Sequence, residues 1–117
     1  MRASSAKAKG KRCALEVKEL LLQHAPHLEP GDLVVTPSGV PGVDLILSPH
    51  AMKTYPFAVE CKNQEKLAIW AALEQSESHS PLPSAGIPLL FFKRNRSELY
   101  CALKASDFMK LISKAEP

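Results

Sequence analysis

The sequence predicts an α/β domain: a central mixed five-stranded sheet flanked by helices, in the order α-β-β-β-α-β-β-α. Three observations carry this. Apolar residues recur at helical spacing over 11–25 and 67–78 and again after position 106. Five short runs rich in Val, Ile, Leu and Phe lie between and around them. Pro, Gly and Ser cluster between the segments and separate them. At 117 residues, with 45% hydrophobic and 23% charged residues, the chain can bury one core, and wholesale disorder is excluded.

The elements follow in order. Residues 1–9 are rich in Ser, Ala and Lys and read as a flexible basic arm ahead of a single domain over 10–117. Ala14, Leu15, Val17, Leu20, Leu21 and Leu22 define the first helix, which ends before Pro26. Leu33-Val34-Val35 reads as a strand, and 36–42, with two prolines and two glycines, as a loop. Val43 to Leu47 is the second strand, 48–56 a turn region, and Phe57 to Cys61 the third strand. Leu67, Trp70, Ala71 and Leu73 place the second helix, with Trp70 as a packing or interface residue. After a Ser/Pro-rich loop, Ile87 to Phe92 is continuously apolar, as a strand buried on both faces is. Leu99 to Leu103 returns beyond a charged turn, and Ser106 or Asp107 caps a last helix carrying Phe108, Leu111 and Ile112.

The charge pattern narrows the partners. The formal net charge is only +3, yet Arg2, Lys7, Lys9, Lys11 and Arg12 crowd the first dozen positions with no acid among them. Lys93, Arg94 and Arg96 form a second knot. Such clusters suit a polyanion, or else a solvated tail and a charged turn. No stretch has the roughly 18 apolar residues of a membrane span, so no membrane association is expected. Cys13, Cys61 and Cys101 are odd in number without metal-like spacing, which predicts free thiols in a reducing cytoplasm. His24 and His27 are separated by Pro26, His50 and His79 fall in loops, and no zinc site or glycine-rich phosphate loop is present.

The candidate chemistry lies in two strands. Asp44 is the second residue of the apolar run VDLIL, Glu60 ends FAVE, and Lys62 follows two positions later, on the same side of an extended strand as Glu60. If these strands pair, Asp44 and Glu60 converge. A carboxylate among Val, Leu and Ile is costly to bury unless paired or bound to a cation. Two carboxylates, a carbonyl and waters make an oxygen site suited to Mg²⁺, and a neighbouring lysine can stabilise developing charge on a phosphate. The alternative for Glu60 and Lys62 is a same-face ion pair at a sheet edge.

The arrangement Gly42-Val43-Asp44 … Glu60-Cys61-Lys62, preceded by Lys9-Gly10 and a helix carrying Glu16, resembles the PD-(D/E)XK nuclease superfamily, and within it the small archaeal-type and phage Holliday junction resolvases. The likeness spans about residues 9–112. Val43 stands where the superfamily's name has a proline. The resemblance implies a restriction-endonuclease-like fold, Mg²⁺ (or Mn²⁺) held by Asp44, Glu60 and the Cys61 carbonyl, and Lys62 as the catalytic lysine. It also implies that Glu16 reaches the site from the first helix, through water or by holding Lys62. Glu16 otherwise reads as a solvent-facing pair partner. Gln75, on the helix after the Glu-x-Lys strand, either reaches the site as in relatives or is an exposed helix residue. Ser38 either contacts phosphate or belongs to a plain turn.

The expected function is therefore a metal-dependent, structure-selective DNA endonuclease that resolves four-way junctions by paired symmetric nicks, in DNA recombination and repair, in a cellular or phage setting. Lys9, Lys11, Arg12, Lys93, Arg94 and Arg96 would hold the DNA backbone. Two equivalent cuts imply a homodimer, with Trp70, Leu73 and Leu90 to Phe92 as candidate interface. The rivals are a nuclease of the same fold acting on other DNA (nicking, mismatch or restriction-like) and a non-catalytic nucleic-acid-binding module.

Overall fold

The computed structural model describes residues 2–80 and 85–115, with side chains from residue 7 to 114; the centre of the predicted 78–86 loop lies outside this range. The helices are α1 (Arg2–Gln23), α2 (Pro49–Thr54), α3 (Ile69–Ser78) and α4 (Ala105–Ala115). The strands are β1 (Leu33–Val35), β2 (Leu45–Leu47), β3 (Phe57–Asn63), β4 (Ile87–Lys93) and β5 (Tyr100–Ala102). A 3₁₀ turn, Pro30–Asp32, leads into β1.

The strands form one mixed sheet in the order β1-β2-β3-β4-β5. β1, β2 and β3 make an antiparallel meander. β3 and β4 are parallel over seven residue pairs, Phe57↔Ile87 to Asn63↔Lys93, and α3 lies on the crossover between them. β5 returns antiparallel on β4. Helices therefore cover both faces of the central strands, which explains why β3 and β4 are apolar in runs rather than in alternation. On one face Cys13, Ala14, Val17 and Leu21 of α1 pack with Leu33, Leu45, Val59, Cys61, Leu89 and Phe91 as the main core. Among the described residues no helix is long and apolar enough to cross a membrane.

Several boundaries differ from the sequence expectation. α1 runs nine residues further toward the N-terminus than the apolar periodicity indicates: Arg2–Gly10 are its first turns, because Ala, Lys and Arg favour helix even where no core requires it. The predicted turn region 48–56 contains α2, whose signals are legible in retrospect. Pro49 occupies the first turn and the Ser48 hydroxyl accepts the Ala51 N–H at 3.0 Å. β3 continues two residues past Cys61, and β2 begins at Leu45 rather than Val43.

Trp70 is not core; it is 78% exposed, on the outer side of α3. Leu90 and Phe91, expected as an interface, are instead buried in the sheet. Gly86, at φ +101°, enters β4 where an added Cβ would meet the Phe57 carbonyl carbon at 2.8 Å, so this approach of chain to chain admits only glycine.

Candidate functional site

Asp44 is held at three points. Its N–H donates to the Val59 carbonyl at 2.9 Å, its carbonyl accepts the Thr36 N–H at 3.0 Å, and its Oδ2 accepts the Cys61 N–H at 2.8 Å. Loop 36–42 closes around it: Thr36 Oγ1 donates to the Val43 carbonyl at 2.7 Å, and Gly39 and Gly42 take left-handed φ values of +84° and +107°. An aspartate at the head of an apolar strand thus caps the backbone of the neighbouring strand, and its Oδ1 has no hydrogen-bond partner among the described residues.

Glu60 is 3% exposed and faces α3. His79, at the C-terminal end of α3, places Nδ1 2.8 Å from Glu60 Oε1. Either Nδ1–H donates to the carboxylate, or a protonated Glu60 donates to Nδ1. Burial, offset in part by His79 and reinforced by the Asp44 charge, holds the Glu60 carboxyl above its ordinary value of 4.5. Lys62 lies two residues on, on the Glu60 side of β3, and is half-buried. Cys61 points the other way, into the core against Cys13, and this thiol contact and burial push its thiol well above the ordinary range. Cys13, Cys61 and Cys101 are all free thiols.

Asp44 and Glu60 each lie one residue beyond the Leu45↔Val59 partners of the β2–β3 pairing, and Lys62 lies two residues further along β3. The structure also gathers Lys11, Ser38 and Asp44 around one cavity of about 210 Å³ between the first half of α1 and loop 36–42. Lys7 joins Lys11 there, one helical turn earlier on the same face. Lys9 and Arg12 do not line this cavity; Arg12 is exposed.

Other expected residues go elsewhere. Glu16 binds Lys93 Nζ at 2.9 Å, not Lys62, so Lys93 is not an uncommitted cation. Gln75 is exposed on α3; the α3 residue that reaches Glu60 is His79, one turn further along. The sequence places His79 in a loop, and the signal missed is its spacing of one turn beyond Gln75 on a helix that opposes Glu60. Arg94 and Arg96 are exposed at the β4–β5 turn, Arg96 with φ +62°.

Among the described residues, no cluster of three or more His, Cys, Asp and Glu is arranged to hold a metal ion. The donor set at Asp44 and Glu60 is nevertheless all hard oxygen, with Asp44 Oδ1 and Glu60 Oε2 uncommitted in hydrogen bonds among the described residues. That fits a Mg²⁺-type ion, which binds through one or two carboxylates and otherwise takes water and phosphate oxygen. The chain matches no protein-family model, no curated protein and no solved structure, so its own residues must carry the functional reading.

Proposed function

We propose that the protein is a metal-dependent DNA endonuclease acting on branched DNA, resolving four-way junctions by paired nicks. One observation supports the reading: Asp44 and Glu60 sit next to the paired residues Leu45 and Val59 on adjacent strands, with Lys62 on the Glu60 side of β3. A divalent cation such as Mg²⁺, or Mn²⁺ in its place, would be held by Asp44, Glu60 and the Cys61 carbonyl, and supplies polarisation of the scissile phosphate and acidification of a water. The Lys62 ammonium adds positive charge where charge builds on the phosphate. His79 fixes the orientation of Glu60 through Oε1 and leaves Oε2 to the site. Lys7, Lys11 and Ser38 border the Asp44 cavity as phosphate-backbone contacts. Two equivalent cuts require two such sites, hence a symmetric homodimer, and the reading places the protein in the cytoplasm.

A second reading, a nucleic-acid-binding module without cleavage, is favoured by one observation. The Asp44 and Glu60 oxygens that bond, to Cys61 N–H and to His79, already give both acids a structural role.

The test is cleavage of labelled four-way junction and matched linear duplex, with Mg²⁺ or EDTA, by the natural chain and Asp44→Asn. Asparagine keeps an oxygen for the Cys61 N–H and removes the charge. Paired, metal-dependent nicks in the junction, lost in the variant while binding persists, support the resolvase. Equal cutting of both substrates keeps the nuclease and removes junction selectivity. Binding without cutting in either metal leaves the module.

A further inference from the structure

A second recess lies beside the proposed reaction centre. It is a cavity of about 380 Å³ at the carboxyl ends of the parallel strands β3 and β4, within the size range of about 300–1,000 Å³ typical of small-molecule sites. Phe92 and Tyr100 form one wall, their rings stacked at 6.0 Å between centroids and 26° between planes. Leu67 and Ile69, at the entry to α3, form another, and Gln64 and Arg94 stand at the polar side. Tyr100 is 58% exposed, so its ring presents aromatic surface to the recess.

The charges lining this recess are not equivalent. Lys93 is committed to Glu16, and Glu65 accepts the Asn95 N–H at 2.6 Å, which fastens the β4–β5 turn to the segment after β3. The turn is closed further by the Ser97 hydroxyl, which accepts the Arg94 N–H at 3.0 Å. Arg94 has no acidic partner among the described residues and supplies the recess with an uncommitted cation on a braced turn.

The sheet register links the recess to the reaction centre. Lys62 pairs with Phe92, and Phe92 with Tyr100. Residues in register project from the same face, so Lys62, Phe92 and Tyr100 form a row across three strands, with Tyr100 about 10 Å from Lys62 at the usual strand spacing. Flat aromatic surface, amide and hydroxyl hydrogen-bonding groups and one guanidinium are the complement of a planar heterocycle carrying a phosphate. A base stacked within a duplex cannot enter such a recess; a base freed from its stack can.

We infer that the Phe92–Tyr100 recess binds an unpaired nucleotide of the DNA strand whose phosphate lies at Lys62, base against the aromatic wall and phosphate toward Arg94. This rests on the nuclease reading for the position of the strand, and it gives that reading a substrate class: DNA with unstacked nucleotides next to the cut, as at a branch point.

The test is equilibrium binding in EDTA, which requires no cleavage. A fluorescently labelled fork with unpaired nucleotides at its branch and a blunt duplex of equal length are titrated with the natural chain, Tyr100→Ala and Arg94→Ala. Tyr100 is exposed, so its truncation spares the core; the melting temperature of each variant is the check. Tyr100→Ala is expected to weaken fork binding by about ten- to a hundredfold, the scale of one lost base–aromatic stack, and to leave the blunt duplex unchanged. Arg94→Ala is expected to weaken fork binding and to flatten its salt dependence by about one phosphate contact.

Equal effects of Tyr100→Ala on fork and duplex, or none on either, overturn the assignment. So does Tyr100-dependent binding of free deoxyadenosine monophosphate with no Tyr100 effect on fork binding, which would make this a site for a free nucleotide. Fork preference lost in Tyr100→Ala from a protein that never cuts would keep the recess and sink the nuclease. Cutting with unaltered fork preference would do the reverse.

Discussion

On its α1 side β3 buries Val59 and Cys61 in a continuous apolar cluster with Cys13, Val17, Leu45, Leu89 and Phe91. One residue out of step, its α3 side buries Ala58 and Glu60, and what packs there is thinner: Leu90, Ala72 and a serine, Ser76, whose hydroxyl has no partner among the described residues. Both faces belong to the same seven residues. The first holds the strand in place through apolar area; the second has little such area and holds a carboxylate through one hydrogen bond to His79. The polar face carries Glu60, Lys62 and, in register with Lys62, Phe92 and Tyr100, whereas Asp44, Lys7, Lys11 and Ser38 border the cavity between α1 and loop 36–42. A buried carboxylate is thus supported by a core it does not itself interrupt.

The contrast can be broken most forcefully from the α1 side. Leu33 is fully buried in the main cluster, so Leu33→Ala should cost about 2–5 kcal/mol, the range of buried leucine truncations. Urea unfolding gives the value. A loss under about 1 kcal/mol would mean that this face is not the main source of stability.

On the α3 side the expected effect is smaller and different in kind. His79→Ala leaves Glu60 buried without its partner, a cost of about 1–3 kcal/mol. His79→Asn, which keeps a donor near the same place, should recover part of it. If His79→Ala unfolds no more easily than the natural chain, Glu60 does not depend on that bond.

The same carboxyl makes stability depend on pH, with a definite sign. Burial raises the Glu60 value above 4.5, so the folded chain holds this proton more tightly than the unfolded one. The associated stabilisation is complete below the ordinary value and is lost as pH rises through the raised folded-state value. Glu60→Gln lacks the ionisation. The difference in stability between natural chain and variant should therefore shift against the natural chain as pH rises above the ordinary carboxyl value of 4.5. A difference that stays constant, or moves the other way, would show that Glu60 is not desolvated in the folded protein.

The sequence made one of these faces easier to read than the other. Runs such as IPLLFF and FAVE announce strands covered on both sides, and the mixed five-stranded sheet with flanking helices follows from them. Asp44, Glu60 and Lys62 were visible because charge inside apolar strands is expensive. His79 and the true partner of Glu16 were not, because each depends on a crossover packing that brings residues 19 and 77 positions apart into contact. Helical spacing from Leu67 and Leu73 marks Trp70 as a core or interface residue; α3 meets the sheet through Ala72 and Ser76, which turns the indole outward and excludes the core. The Phe92–Tyr100 row needed the register of three strands, which no local pattern encodes.

The smallest expected effect is at Glu16, and it separates the sequence expectation from the geometry most cleanly. Its side chain is 45% exposed and pairs with Lys93 rather than Lys62. With Lys93 15% and Glu16 45% exposed, the pair lies at the protein surface and contributes about 1 kcal/mol or less, so Glu16→Gln should change urea unfolding little. If Glu16 served the reaction centre as an acid or base, the variant would lose about 10²–10⁴-fold in junction cleavage. With Lys93 as its partner, cleavage should persist near the natural level. The variant should instead release the Lys93 ammonium toward DNA, making the salt dependence of binding steeper by about one phosphate contact. Salt titration of duplex binding reads this directly. A large cleavage loss with an unchanged salt slope would return Glu16 to the site and show that its bond to Lys93 gives way when DNA is bound.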